Sequence, residues 1–197
     1  MNYSDFDSFT GLGNTRLMQA RFAQCVGEQT EFGMIWIDVD GLIYFNDRFG
    51  HAEGDEKLKQ IAKLICQNLP DGIDVFRAGV EEFIIILTNL KMAGVVLLAM
   101  RICKAVNQEF SHLPPLRRFF SMSDNSYVEV YFPLTVSCGV AFYPEHGVDY
   151  STLYRSAEVA AIRGGKRLYG GVVGVAMNLY SSCFLPSTEN KTNDSQI

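Results

Sequence analysis

The stretch Arg77-Ala78-Gly79-Val80-Glu81-Glu82-Phe83, continued by Ile84-Ile85-Ile86-Leu87, decides how the rest of the sequence is read. Residues 73–77 and 83–88 are rich in β-branched and aromatic side chains, with a glycine and two acids between them. This predicts a β-hairpin with carboxylates at its tip. Adjacent carboxylates on a tight turn repel one another and add nothing to a core, so a cation, a metal ion among the candidates, is expected there. Taken alone, the same residues also read plainly as a solvated hairpin turn.

Upstream, Met34-Ile35-Trp36-Ile37-Asp38-Val39-Asp40 is an apolar run ending in acids, the pattern of a buried central strand that delivers carboxylates to its C-terminal edge. Asn14 predicts the cap of a helix running to residue 29, with Leu17, Met18, Phe22, Cys25 and Val26 on its apolar stripe. Residues 41–50 read as a turn and short helix. Residues 54–69 read as a longer helix with Leu58, Ile61, Ala62 and Ile65 inward, ended by Pro70-Asp71-Gly72.

Downstream, residues 90–110 predict a helix whose Val95, Val96, Leu98, Ala99, Ile102 and Val106 are core. Residues 111–126, with Pro114-Pro115 and Arg117-Arg118, read as a long loop. Residues 127–132 and 134–142 read as strands flanking Pro133, and residues 149–164 as a helix stopped by Gly164-Gly165. One or two further strands are expected in 166–184, and a disordered polar tail over 185–197. The order predicts an α+β sandwich, one sheet covered by helices, in a single domain spanning 1–184.

Composition narrows the function. The 197 residues carry a formal charge of -5, which gives no basic footprint for polymeric nucleic acid and leaves a small ligand or a protein partner. Cys25, Cys66, Cys103, Cys138 and Cys183 are scattered without C-x-x-C spacing, against a zinc site or a disulfide framework and in keeping with a reducing cytoplasm. The apolar runs 92–100 and 170–185 fall short of the roughly 20 residues that span a bilayer, and no signal pattern opens the sequence. A cytoplasmic piece without membrane contact is expected, whatever larger protein it belongs to.

Asp38-Val39-Asp40 does not open a calcium loop, because Gly41 comes too early and Leu42 stands at the third ligand position. A better combination is Asp38, then Asn46-Asp47, Gly50-His51, Gly54-Asp55 and Glu81-Glu82. An amide and a carboxylate, Asn46 and Asp55, suit a purine edge as donor and acceptor together. A carboxylate on the strand and another on the hairpin suit Mg²⁺ held against phosphates.

Asp7-Ser8-Phe9-Thr10-Gly11-Leu12-Gly13-Asn14, residues 38–55, residues 77–83, Ser137-Cys138-Gly139-Val140, and Tyr143-Pro144-Glu145-His146-Gly147 through Ala157-Glu158 together resemble the GGDEF family of diguanylate cyclases, over residues 5–170. The resemblance implies a fold like the palm of nucleotidyl cyclases, a central, mainly antiparallel sheet flanked by helices. It implies a facing pair of domains, each presenting one GTP, with metal-assisted attack of a ribose 3′-hydroxyl on the partner's α-phosphate to give cyclic di-GMP. By motif position it makes Asp38, Glu81 and Glu82 catalytic, with Glu82 the weaker candidate. The resemblance likewise implies that Asp38, Val39 and Glu81 would hold Mg²⁺, and that Leu42, Asn46, Asp55, Gly79 and Val80 would bind the nucleotide.

The departures from the family pattern are as informative. Val80 replaces the second glycine of the signature, adding a branched side chain and, at positive φ, about 1 kcal/mol or more of strain. Ile43 stands where the family has a phosphate-contacting lysine, removing a charge-assisted contact of roughly 1.5–3 kcal/mol. Gly165 and Tyr169 occupy the positions of the late lysine and arginine, with Arg163, Lys166 and Arg167 displaced nearby. The inhibitory R-x-x-D is absent, residues 70–73 filling its window. The expectation is a degenerate GGDEF domain, weak or inactive as a cyclase, that serves cyclic di-GMP signalling as a GTP-binding or dimerisation module. Its expected partners are GTP or cyclic di-GMP, a second copy, or a fused or separate signalling domain. The alternative is an active Mg²⁺-dependent diguanylate cyclase.

Overall fold

The computed structural model describes residues 3–114, 116–121, 127–132, 134–164 and 171–177. The tail expected over 185–197 and most of 166–184 lie outside the described residues. The organising element is β1 (Phe32–Asp40), nine consecutive buried residues. Because both faces of β1 are covered, its sequence is a continuous apolar run rather than an alternating one.

The hairpin forms as expected: β2 (Val75–Arg77) pairs antiparallel with β3 (Glu82–Thr88), from Val75↔Ile85 to Arg77↔Phe83. On β1, β3 lies on one side and β6 (Thr135–Tyr143) on the other, both antiparallel, and β7 (Val173–Val175) joins β6 in parallel. The sheet order is β2-β3-β1-β6-β7. On one face Ile35, Ile37, Val39, Phe83, Ile85, Val136, Cys138 and Val140 pack against α2 (Leu42–Phe49), α3 (His51–Gln67) and α4 (Met92–Phe110). On the other, Phe32, Met34, Trp36, Ile84, Ile86 and Ala141 meet α1 (Thr15–Gly27) and α5 (Tyr150–Arg163). This is the expected α+β sandwich.

The caps follow local chemistry. Asn14 Oδ1 accepts from Leu17 N at 3.1 Å, and Asp149 forms a capping box with Thr152 at the start of α5. The Tyr143–Gly147 motif is the turn that delivers α5: the His146 side chain is buried, its Nδ1 accepts from Phe142 N at 2.9 Å, and Ser156 Oγ donates to its carbonyl at 2.6 Å. Burial holds the His146 imidazole below its ordinary pKa, and Glu145 pulls weakly the other way.

One expectation is overturned. Residues 111–126 are not one long loop, because β4 (Leu116–Ser121) pairs antiparallel with β5 (Tyr127–Phe132) in a separate two-stranded sheet, from Leu116↔Phe132 to Ser121↔Tyr127. Pro114-Pro115 follows the end of α4 but does not forbid a strand beginning at the next residue. Pairing with β5 is long-range information that local composition does not carry. Consequently β5 and β6, read as neighbours around Pro133, belong to different sheets, and Pro133 itself lies outside the described residues.

The N-terminal motif buttresses the hairpin. Asp7 Oδ1 accepts from Thr10 N at 2.8 Å and Thr10 Oγ1 at 2.6 Å, and Arg77 Nη1 pairs with Asp7 at 3.2 Å. The Arg77 guanidinium lies over Phe9 at 4.6 Å and donates through Nη2 to the Val80 carbonyl at 2.7 Å. Partial burial raises the Asp7 pKa, but the Thr10 and Arg77 contacts outweigh it and hold the carboxyl below its ordinary value. A depressed folded pKa contributes stability above the unfolded value, near 4, that is lost as pH falls through the folded one. Asp7→Asn is therefore expected to cost about 1 kcal/mol at pH 7, a cost that shrinks as pH falls below the ordinary carboxylate range. Denaturant melts of both forms at pH 7, 4 and 3 read the difference, and a gap that stays constant with pH is the contrary result.

Candidate functional site

The acids converge at the C-terminal end of β1. Asp38 and Asp40 are 8% and 6% exposed, and Asp38 stands directly opposite Glu82 in the β1–β3 register. Cβ atoms of such a pair lie about 5 Å apart on one face of the sheet. Glu81 joins the same edge through its backbone, its carbonyl accepting from Val39 N at 3.1 Å. The loop is closed by Ala78 N and Gly79 N donating to the Glu82 carbonyl at 2.9 and 3.3 Å. Asp38, Val39, Glu81 and Glu82 are thus brought together.

Directly after Asp40, Gly41 takes φ 80° and turns the chain into α2, with no side chain capping its first turn. The Leu42 side chain goes into the core, whereas Ile43 is 63% exposed. Asn46, four residues further on, stands about 6 Å along the helix axis. Its Oδ1 is buried without a hydrogen-bond partner among the described residues, and it sits over Gly54, where a Cβ would stand 1.7 Å from that oxygen. Asp55 follows Gly54 and is exposed. A buried acceptor left unsatisfied costs about 1–3 kcal/mol, the mark of a group reserved for a ligand or solvent.

At the hairpin tip, Val80 is 77% exposed. Gln29 and Asn89 are the non-glycine residues with positive φ among those described, so the conditional strain at Val80 does not arise and only the bulk of its side chain remains. Gly79 matters for space: a Cβ there would lie 2.7 Å from Glu82 Oε2. Of the displaced cations, Arg163 ends α5 and is exposed, while Gly165, Lys166, Arg167 and Tyr169 lie outside the described residues.

Among the described residues no group of three or more His, Cys, Asp or Glu side chains is arranged to hold a metal ion. The Asp38 and Glu81 carboxylates with the Val39 carbonyl nevertheless fit Mg²⁺, which is commonly held by one or two carboxylates together with substrate phosphates. Such a donor set would suit a site completed by a ligand's phosphates, not a protein cage.

Sequence reasoning gave Asp40, Tyr154 and Trp36 no role at the site. Asp40 Oδ2 accepts from Thr135 Oγ1, Ser137 Oγ and Gly171 N at 3.0, 2.7 and 2.8 Å, locking the acidic edge to β6 and to the approach to β7. Tyr154 donates to Glu82 Oε2 at 2.9 Å and accepts from Trp36 Nε1 at 3.1 Å. Burial, joined by the Glu82 carboxylate, pushes the Tyr154 phenol far above its ordinary pKa, with the Trp36 bond pulling the other way. The period of two placed Trp36 beside Asp38 on one face of β1 and was the available signal for Trp36. Nothing local linked Tyr154 to a residue 72 positions away.

Comparison with known proteins agrees with this geometry. The family model described as diguanylate cyclase, GGDEF domain, matches residues 4–167. The Escherichia coli (strain K12) protein named cyclic di-GMP phosphodiesterase PdeR is 30% identical over 156 residues, which cover 78% of this chain and 21% of PdeR, so the chain spans about a fifth of that relative. The GGDEF domain of TpbB, or YfiN, from Pseudomonas aeruginosa superposes with a TM-score of 0.67 at 28% identity, covering 87% of this chain and 94% of that one. The active GGEEF domain of a diguanylate cyclase from Vibrio cholerae does so with a TM-score of 0.63 at 27% identity, covering 83% and 97%. With its palm-like sheet and its acids gathered at the end of β1, the chain belongs to the GGDEF domain family of cyclic di-GMP signalling.

Proposed function

We propose that this GGDEF domain binds GTP weakly and acts as a regulatory nucleotide-binding or dimerisation module, with diguanylate cyclase turnover slow or lost. The observation that carries the reading is the pair of exposed apolar side chains at the site, Val80 on the hairpin tip and Ile43 in the first turn of α2. Neither neutralises phosphate charge, and Val80 puts a branched side chain where the family leaves bare backbone. Asn46 and Asp55 would read the guanine edge, and the orphaned Asn46 Oδ1 is the feature that most directly supports a base at the α2–α3 corner. Asp38 and Glu81, with the Val39 carbonyl, would hold Mg²⁺, which supplies charge neutralisation at the phosphates when bound.

The test is calorimetry of GTP with Mg²⁺ on the purified chain, together with chromatography for cyclic di-GMP. Weak binding with little or no product is expected. Restoring Gly at position 80 and Lys at position 43, Val80→Gly with Ile43→Lys, returns a backbone approach and one charge-assisted contact of roughly 1.5–3 kcal/mol, so GTP affinity should rise at least tenfold. Unchanged affinity in that variant sinks this account of the site.

The retained Asp38, Glu81 and Glu82 favour a second reading, an active cyclase. Glutamate at the third signature position does not argue against it, since the Vibrio cholerae GGEEF domain is described as active. Cyclic di-GMP formed by the unaltered chain at a rate the variant does not exceed decides for that reading.

A further inference from the structure

Trp36, the one tryptophan of the sequence, is 3% exposed on β1, two residues before Asp38 and on the same face of the strand. Its indole N–H donates to the Tyr154 hydroxyl, which donates in turn to Glu82 Oε2. A phenol carries a single proton. With its oxygen accepting from Trp36, that proton is aimed at the carboxylate.

The surroundings make this chain a fixture. Trp36 is buried in the core between sheet and helices. Tyr154 stands on α5, whose Leu153 and Ala157 are fully buried against the sheet. Glu82 lies close over Gly79, whose missing Cβ is what admits the carboxylate. Burial and the neighbouring Glu82 charge keep the phenol protonated, so it stays a donor across the ordinary pH range.

Glu82 is directly opposite Asp38, within reach of any cation that Asp38 holds. Yet one of its oxygens is already engaged on the α5 side. We propose that Tyr154 is a positioning residue for the acidic loop: oriented by Trp36, its hydroxyl holds the Glu82 carboxylate toward α5, so that a divalent cation at Asp38 and Glu81 meets at most one Glu82 oxygen. This rests on the cation reading given above.

Tyr154→Phe keeps the ring and its packing and removes the hydroxyl, which is both the donor to Glu82 and the acceptor of the Trp36 N–H. Glu82 is then released toward Asp38 and adds a further carboxylate to the cation. Mn²⁺ titrated into the full chain, read by the electron paramagnetic resonance signal of the free ion, should bind about tenfold more tightly in Tyr154→Phe than in the unaltered chain. In a Glu82→Gln background the same substitution should leave Mn²⁺ affinity unchanged. Trp36 supplies a metal-independent readout, because its indole N–H gives a single nuclear magnetic resonance signal. Glu82→Gln should move that signal in the unaltered chain and leave it in place when Tyr154 is already Phe.

An indole signal indifferent to Glu82→Gln overturns the proposal. So does a Tyr154→Phe chain that melts differently but binds Mn²⁺ as before. A chain that takes up no Mn²⁺ in any form overturns the cation reading instead, and the Trp36 signal alone then decides whether Tyr154 holds Glu82.

Discussion

Gly139→Ala is expected to destabilise the domain by about 3 kcal/mol or more, enough to remove a large part of the stability of a domain this size. Gly139 lies mid-way along β6 beneath α5, and a Cβ there would stand 1.8 Å from the Ala157 carbonyl oxygen and 3.1 Å from Ala161 N. These are backbone atoms, so no rotamer change relieves the clash. Gly174, paired with Gly139 across β6 and β7, receives α5 in the same way, with its Cβ position 1.8 Å from the Ala160 carbonyl. The helix rests on two bare stretches of strand, and one methyl forces it to lift by roughly 1.5 Å to reach ordinary van der Waals separation. Lifting α5 also withdraws Leu153, Ala157 and Ala161 from full burial and Tyr154 from Glu82. Gly27→Ala at the end of α1, where a Cβ meets nothing within 4 Å, should change stability by no more than about 0.5 kcal/mol. Denaturant unfolding of the two variants measures both, and a Gly139→Ala chain within 1 kcal/mol of the unaltered one shows that α5 is not seated on the strand as described.

The same seat shows what the sequence could and could not reveal. The run ending Asp38-Val39-Asp40 and the hairpin around Gly79 were legible because each rests on local pattern, apolar runs punctuated by acids and glycine. The stripe Leu58, Ile61, Ala62 and Ile65 was legible for the same reason, and all four are buried. That Gly139 is a glycine because a helix backbone crosses it is a tertiary fact, invisible in Ser137-Cys138-Gly139-Val140. Strand β4 failed in the same direction: Leu116–Ser121 becomes a strand through its partner β5, while the nearby prolines and paired arginines spoke locally for a loop.

At the site, residue types were readable but their orientations were not. Leu42 was placed with the nucleotide, and its side chain is in the core. Glu82 was the weaker of the two hairpin acids on sequence, and the Tyr154 hydroxyl that donates to one of its oxygens was not foreseen. For Val80, backbone strain depended on a dihedral the sequence does not contain, and the valine avoids the left-handed region while keeping its side chain in solvent. What distinguishes this position is therefore side-chain bulk and the absence of charge, which the substitutions at the exposed residues 80 and 43 test.

Gly54→Ala is expected to separate nucleotide recognition from stability. In the interior of α3 an alanine is better than glycine by about 1 kcal/mol on helix propensity. The nearest atoms to the new Cβ all belong to the Asn46 side-chain amide, Oδ1 at 1.7 Å, Cγ at 2.9 Å and Nδ2 at 3.4 Å. Unlike the carbonyls above Gly139, an amide at the end of a side chain can turn away, so the fold should survive with a change in stability of no more than about 1 kcal/mol in either direction. Asn46 then no longer points where Gly54 now lets it point. If Asn46 and Asp55 read the guanine edge together, losing one hydrogen-bonding partner costs roughly 1.5–3 kcal/mol, about ten- to a hundredfold in GTP affinity. The loss is best measured in the Val80→Gly, Ile43→Lys background, where binding is tight enough to quantify. ATP, which presents a different edge, should lose much less. Equal losses for the two nucleotides mean that Asn46 does not read the base, and a chain that unfolds on Gly54→Ala means that the amide cannot turn and that the α2–α3 corner is a packing joint instead.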